Sequence, residues 1–300
     1  MSFNEGADLD TSQVTGGGGG RGGAIIGGGI GSLVLVLVAA FFGVDLSGVT
    51  GSSNPFDPGQ VTTGGQESGA DFSQCKTGAD ANRDDVCRVI GTVNSVQDYW
   101  NDALPADVGR QYHAAKTVLF SGATQSACGT ASNQTGPFYC PSDERVYIDA
   151  SFFDELSSRF GADDGALAQE YVVAHEYGHH VENILGILAK GQDGRTGPTS
   201  GGVRIELMAD CLAGVWASHA SSTKDADGDT LLKPLTDDDI KSALSAAAAV
   251  GDDHIQESSG GGVNQDTWTH GSSESRQRWF MTGYKSGTAN QCDTFSTDQL

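Results

Sequence analysis

One stretch, residues 171–188 with sequence YVVAHEYGHHVENILGIL, constrains this chain more than any other. It carries His175, Glu176 and His179 in the pattern H-E-x-x-H. Positions i and i+4 of a helix lie one turn apart on one face, so two imidazoles so spaced can grip one metal ion from one side. Glu176 points about 100° round from His175, from where it can reach a metal-bound water without being a ligand. Two histidines holding zinc, with the glutamate as general base, are the physical content of this motif. Leu167, Tyr171, Ala174, Gly178, Val181 and Leu185 recur at helical spacing, and Asp163 or Asp164 is placed to cap the start. The plainer alternative is a buried helix whose histidines are satisfied core residues.

A catalytic zinc usually takes three protein ligands and keeps one position for water. Residues 203–219, VRIELMADCLAGVWASH, show a second helical pattern, with Glu206 and Asp210 at i and i+4. Two acids on the inner face of such an apolar helix are costly unless paired or metal-bound. Glu206 as third ligand completes a His₂Glu set, and Asp210 can accept the free ring N–H of a ligand histidine and fix its tautomer. The reverse assignment, Asp210 ligand and Glu206 orienter, stays open, as does a helix whose acids face water.

H-E-x-x-H followed on a later helix by E-x-x-x-D resembles the gluzincin arrangement of thermolysin-like metallopeptidases. The strings AHEYGHHVENILGI, RIELMADCLAGVWA, THGSSESRQRWF and QCDTF together resemble the putative neutral zinc metallopeptidase family of bacterial membrane-anchored proteins. The resemblance runs from about Cys75 to Phe295. It implies an α+β, zincin-like domain, mostly helical with a small sheet, binding one Zn²⁺ per chain at His175, His179 and Glu206. Glu176 would be the catalyst and a peptide or protein the substrate. It also implies a strand beside the active-site helix that pairs with an extended substrate; residues 145–149, RVYID, or the loop before them are the candidates, if an edge is unpaired.

The net charge of −22 argues against nucleic acid as a partner, because phosphate contacts need basic surface. Residues 1–23 are polar and include the run Gly16–Gly20, and are expected to be a disordered tail. Residues 24–44, AIIGGGIGSLVLVLVAAFFGV, carry no charge and are long enough to span a bilayer. They are expected to form one transmembrane helix, with a cleaved signal peptide as the rival. The acid-rich flank before it has Arg21 as its only base, a slight lean to the N-terminus inside. The expected localisation is therefore a single-pass anchor in the cell membrane, with the domain on the extracytoplasmic side. Residues 45–73 read as a Gly/Ser/Thr/Pro linker, and residues 74–300 as the metallopeptidase domain.

Six cysteines follow the apolar run. Cys75 with Cys87 and Cys128 with Cys140 would close short loops, which leaves Cys211 with Cys292; six cysteines allow 15 pairings. If paired, they imply an oxidising compartment; buried thiols are the alternative. A helix is expected over 93–104, ended by Pro105. Asp225-Ala-Asp227-Gly-Asp229 has part of a calcium-loop pattern, but its glycine is misplaced and Thr236 stands where the closing Glu belongs. A hydrolytic zinc site gains from a donor at the developing oxyanion. His270 is the first candidate for that catalytic role and Tyr284 the second. Two readings follow: a zinc peptidase, or a zinc-stabilised surface domain that binds a protein partner and cleaves nothing.

Overall fold

The longest helix shows how local signals and packing cooperate. The structure, a computed structural model, describes residues 1–17, 67–68, 70–132, 135–225, 227–260 and 262–300. In it α1 spans Gly78–Ala81 and α2 spans Asp85–Val108. The Asp84 carboxylate accepts the Cys87 N–H at 3.0 Å to cap α2, and Gly109 ends it with a left-handed φ of 69°. The expected stop at Pro105 is corrected: the helix runs through it. Pro105 gives up its own N–H bond and crowds the carbonyl of Asn101, but Asn101 is exposed, so water can reach that carbonyl.

The chain divides into two units. The first comprises Met1–Gln13, Phe72–Ala115 and Phe153–Leu300. Besides α1 and α2 it contains α4 (Ala166–Ile184), α5 (Gly201–His219), α6 (Asp237–Ala249), α7 (Asp252–Ser258) and α8 (Ser273–Ser286), with α3 (Phe152–Ser158) at its boundary. Helix α5 packs on α4 and α8, and α6 packs on the same two. Trp100, Trp216, Tyr171, Tyr177 and Phe280 fill the core between them. The Trp216 indole N–H donates to Ser95 Oγ at 3.1 Å, so the largest buried ring leaves no polar atom unpaired. Helix α4 starts at Gly165 without a side-chain cap, contrary to the expected aspartate. Helix α6 starts with a Thr236/Asp239 capping box instead.

The second unit comprises Val14–Asp71 and Lys116–Phe152. Its larger sheet has the order β2 (Glu67–Ser68), β1 (Val14–Gly17), β3 (Lys116–Phe120), β7 (Arg145–Asp149), β6 (Phe138–Cys140). β1, β3 and β7 run parallel, while β2 and β6 are antiparallel to their neighbours. β4 (Ala123–Ser126) and β5 (Gly129–Ser132) form a separate hairpin. Phe138 stacks on Tyr147 with centroids 4.8 Å apart, over a core that includes Val118, Phe120 and Ala131. RVYID is β7, paired on both sides, so it offers no free edge to a substrate strand.

Three disulfides are present: Cys75–Cys87, Cys128–Cys140 and Cys211–Cys292. The last spans 81 residues; on the chain-entropy account a loop of that size contributes about 4.5 kcal/mol.

The N-terminal part of the chain corrects two further expectations. Residues 1–13 are not a disordered tail, and the domain does not begin at residue 74. Met1, Phe3 and Ala7 are buried. Phe3 N donates to Asn82 Oδ1 at 2.8 Å, Asn4 Nδ2 to Thr230 O at 2.7 Å, and Asp10 N to Asn94 Oδ1 at 2.9 Å. A few well-placed apolar residues dock this segment, although its polar composition and the glycine run that follows it hide them. The expected transmembrane helix over 24–44 lies outside the described residues, as does most of the expected linker over 45–73. Among the described residues no helix is long and apolar enough to cross a membrane. Moreover, residues 1–13 and 72–300 share one packed unit apart from 116–152, whereas a single crossing between them would hold them on opposite faces of a bilayer. The single-pass anchor and its localisation are therefore withdrawn.

Two predictions follow from this packing. Phe3→Ala removes a fully buried ring seated against Gly91 and should cost about 3–5 kcal/mol, seen as a lower midpoint in denaturant titration. Glu170 is buried beside the Met1 ammonium, 3.4 Å away, and burial pushes its pKa up to about 7 despite that cation and Arg88. A carboxyl raised on folding favours the native state while protonated, so its contribution is full below about pH 4.5 and is lost as pH rises through 7. Glu170→Gln should flatten the fall in thermal midpoint over that window.

Candidate metal centre

Helix α4 buries nearly its whole surface, and that is what takes His175, Glu176 and His179 out of solvent. Helix α5 faces it, opened by Ser200, whose hydroxyl accepts the Val203 N–H. The two helices cross closely at Gly178, where an added Cβ would lie 2.9 Å from the Cα of Ala209 and 3.0 Å from its carbonyl oxygen. The crossing brings Glu206 between the two histidines. Its Oε2 is 3.2 Å from His175 Nε2 and its Oε1 3.6 Å from His179 Nε2. One ligand atom from each of His175, His179 and Glu206 lies within 4.8 Å of the others. Two imidazoles and one carboxylate converging so closely fit a zinc ion with one coordination position left over.

The outer nitrogens are held by carboxylates. His175 Nδ1 is 2.9 Å from Asp210 Oδ1, and His179 Nδ1 is 2.8 Å from Glu182 Oε2. Both rings thus turn Nε2 toward Glu206, the arrangement that fixes a metal-ligating tautomer. Asp210 sits behind His175, outside the donor triangle. Glu182 has no counterpart in the sequence reading; its only signal is its place three residues after His179, on the same helix face.

Electrostatics separate these groups. Burial disfavours the charged form of both histidines. For His175 the charge and hydrogen bond of Asp210, with a hydrogen bond from Glu206, outweigh it and lift the pKa to about 10. For His179 burial wins and the pKa falls. Burial raises the Glu176 carboxyl. Burial opposes ionisation of Glu206 too, but His179, His175 and His270 hold it well below the usual carboxylate range.

His270 lies in the loop before α8 and is oriented by Asp252. One Asp252 oxygen accepts the backbone N–H groups of Thr269, His270 and Gly271 at 2.7–2.9 Å, while the other is 3.3 Å from His270 Nδ1. Burial opposes the imidazolium, but the Asp252 hydrogen bond and the Glu206 charge raise the His270 pKa. Tyr284, the other candidate donor, stacks on Phe280 two turns along α8 from Arg276. Arg276, also absent from the sequence reading, is buried against Asp210. Three other histidines differ in kind: His180, His219 and His254 bond the backbone carbonyls of His113, Gly287 and Phe160. In the acidic loop, Asp225 Oδ1 accepts the N–H groups of Asp227 and Asp229, a turn satisfied by its own backbone.

Comparison with known proteins agrees with this geometry. The family model described as putative neutral zinc metallopeptidase matches residues 4–295, and so includes most of the docked N-terminal segment. The chain is 51% identical over 302 residues to uncharacterised proteins of Mycobacterium bovis and Mycobacterium tuberculosis, with 100% of each chain covered. It is 37% identical over 273 residues to the uncharacterised Escherichia coli protein YpfJ, covering 89% of this chain and 86% of that one. No solved structure is significantly similar.

Gly178→Ala should test the helix crossing. Its methyl group has to push α4 off Ala209, at about 1–3 kcal/mol, and should weaken zinc binding in an equilibrium titration.

Proposed function

Because the chain belongs to the putative neutral zinc metallopeptidase family, we propose that it is a peptidase with one zinc ion held by His175, His179 and Glu206, and with Glu176 as general base. The observation that carries this reading is the buried convergence of two imidazoles and a carboxylate, with Glu176 between the histidines in sequence and buried beside them. When bound, zinc supplies Lewis acidity and lowers the pKa of a water toward neutrality.

The protein's own residues do the rest. Asp210 and Glu182 hold the two rings with Nε2 inward. Glu176 is not a member of the donor triangle and is free to take a proton from the attacking water and return it to the leaving amine. His270, aimed by Asp252 and held toward its cationic form, donates a hydrogen bond to the oxyanion that develops on the substrate carbonyl. The substrate is a peptide or protein. A site serving only structure tends to take four protein ligands and has no use for a buried glutamate beside them.

The test is zinc stoichiometry on the full-length chain, because residues 1–13 belong to the packed unit. Wild type should bind about one zinc; His179→Ala and Glu206→Ala should lose it or weaken it strongly. Glu176→Gln should keep the zinc and lose peptide hydrolysis by at least about 10²-fold. Folded wild type without zinc affinity would sink the reading, and full activity in zinc-loaded Glu176→Gln would remove the base. Zinc retained by all variants that bind it, with no hydrolysis across a peptide library, would favour the non-catalytic surface domain.

A further inference from the structure

The two histidines of the donor set are supported unequally. Behind His179 stands Glu182 alone, whose second oxygen has no hydrogen-bond partner among the described residues. Behind His175 stands a closed network. Arg276 donates from Nε to Asp210 Oδ2 and from Nη2 to Asp210 Oδ1, both at 2.9 Å, a two-pronged grip on one carboxylate. The same Nη2 lies 3.1 Å from the Tyr171 hydroxyl, which itself donates to Asp210 Oδ1. Nη1 donates to the Val250 carbonyl at 3.3 Å and stands 3.9 Å from Glu206 Oε2. The guanidinium, the phenol and the carboxylate are all buried.

We infer that Arg276 is a positioning residue for the metal: it fixes Asp210, and through Asp210 it sets the ring of His175. The inference rests on the reading of His175 as a zinc ligand. Arg276 reaches this place because α8 lies almost on α5. A Cβ at Gly283 would overlap the carbonyl oxygen of Cys211, and one at Gly214 would overlap that of Phe280. No side chain separates the helices there, so the planar fork reaches Asp210 and comes within 3.4 Å of His175 Nδ1. A lysine carries the charge but cannot reproduce the fork.

The experiment is a double-mutant cycle on chelator-stripped, full-length protein. The zinc Kd is read by competition with a chromophoric chelator, and thermal midpoints are recorded alongside. Arg276→Gln should weaken zinc about tenfold or more, the effect expected when a partner of a ligand histidine is lost. Arg276→Lys should fall between Gln and wild type. In an Asp210→Asn background, Arg276→Gln should add less than about twofold, because the two-pronged grip on Asp210 is its main route to the metal and the longer contacts to His175 and Glu206 are secondary. A zinc Kd for Arg276→Gln within twofold of wild type overturns the inference. So does a cycle in which the two losses simply multiply, since a merely structural residue would act independently of Asp210. If Arg276→Gln does not fold, the same cycle with Arg276→Lys decides by the same criterion. These outcomes are separate from the failure of the zinc reading, which would show as absent zinc binding in wild type.

Discussion

Seven ionisable side chains, His175, Glu176, His179, Glu182, Glu206, Asp210 and Arg276, meet in the interior of the helical unit, and its packing is constrained by the need to pair them. A lone buried charge costs several kcal/mol, and well-made hydrogen bonds are what offset it. The pairing here is close: Asp210 lies between His175 and Arg276, Glu182 faces His179, and Glu206 faces both inner nitrogens. Such contacts need helices nearer than ordinary side chains allow. That explains glycines at the crossings, Gly178 between α4 and α5 and Gly214 with Gly283 between α5 and α8. The site sits on rigid helices because hydrogen bonds of about 3 Å tolerate little movement.

Each of the two helices that carry the donor triangle is also held from a distant part of the chain. The Met1 ammonium lies 2.8 Å from Asp239 on α6 and 3.4 Å from Glu170 on α4, bringing the start of the chain against the helix that carries the histidines. At the other end, Cys211 on α5 is bonded to Cys292, and Arg204 donates to the carbonyls of Thr294 and Thr297. These long-range ties restrain α4 and α5 from parts of the chain remote in sequence. A core with several buried charges has less apolar contact to draw on than an all-hydrophobic one, and such fastening answers that deficit.

The site was legible where its chemistry is encoded on one helix. H-E-x-x-H and E-x-x-x-D each place two groups on one face, and the observed helices bring His175, His179 and Glu206 together. Asp210 stands behind His175 on the same logic. Apart from Glu182, which went unread on α4 itself, what lay beyond reach was contributed from other elements. Arg276 is about a hundred positions from His175, and Asp252 is 18 positions from the imidazole it holds; no spacing rule joins residues across helices. The fold was legible in class and in three of its helices, α2, α4 and α5, but composition misled at the N-terminus, where Met1 and Phe3 supply a docking surface out of proportion to their number. Pro105 misled because proline disfavours a helix without forbidding it, and the exposed carbonyl it leaves unpaired can turn to water. RVYID was readable as a strand, but whether a strand lies at an edge depends on its neighbours.

The histidines show why residue type alone could not sort function from structure. His180, His219 and His254 each meet a backbone carbonyl through Nε2. A carbonyl accepts one ring N–H and brings no net charge, so it takes Nε2 as a donor and packs the ring in place. His175, His179 and His270 instead meet carboxylates through Nδ1. The carboxylate raises the pKa of His175 and His270, while at His179 burial still lowers it; in all three the Nδ1 contact turns the opposite nitrogen toward whatever lies across from it. For His175 and His179 that is Glu206. The partner on Nδ1, more than the histidine itself, marks which imidazoles are placed to do chemistry, and in this chain that partner comes from the same helix only for His179.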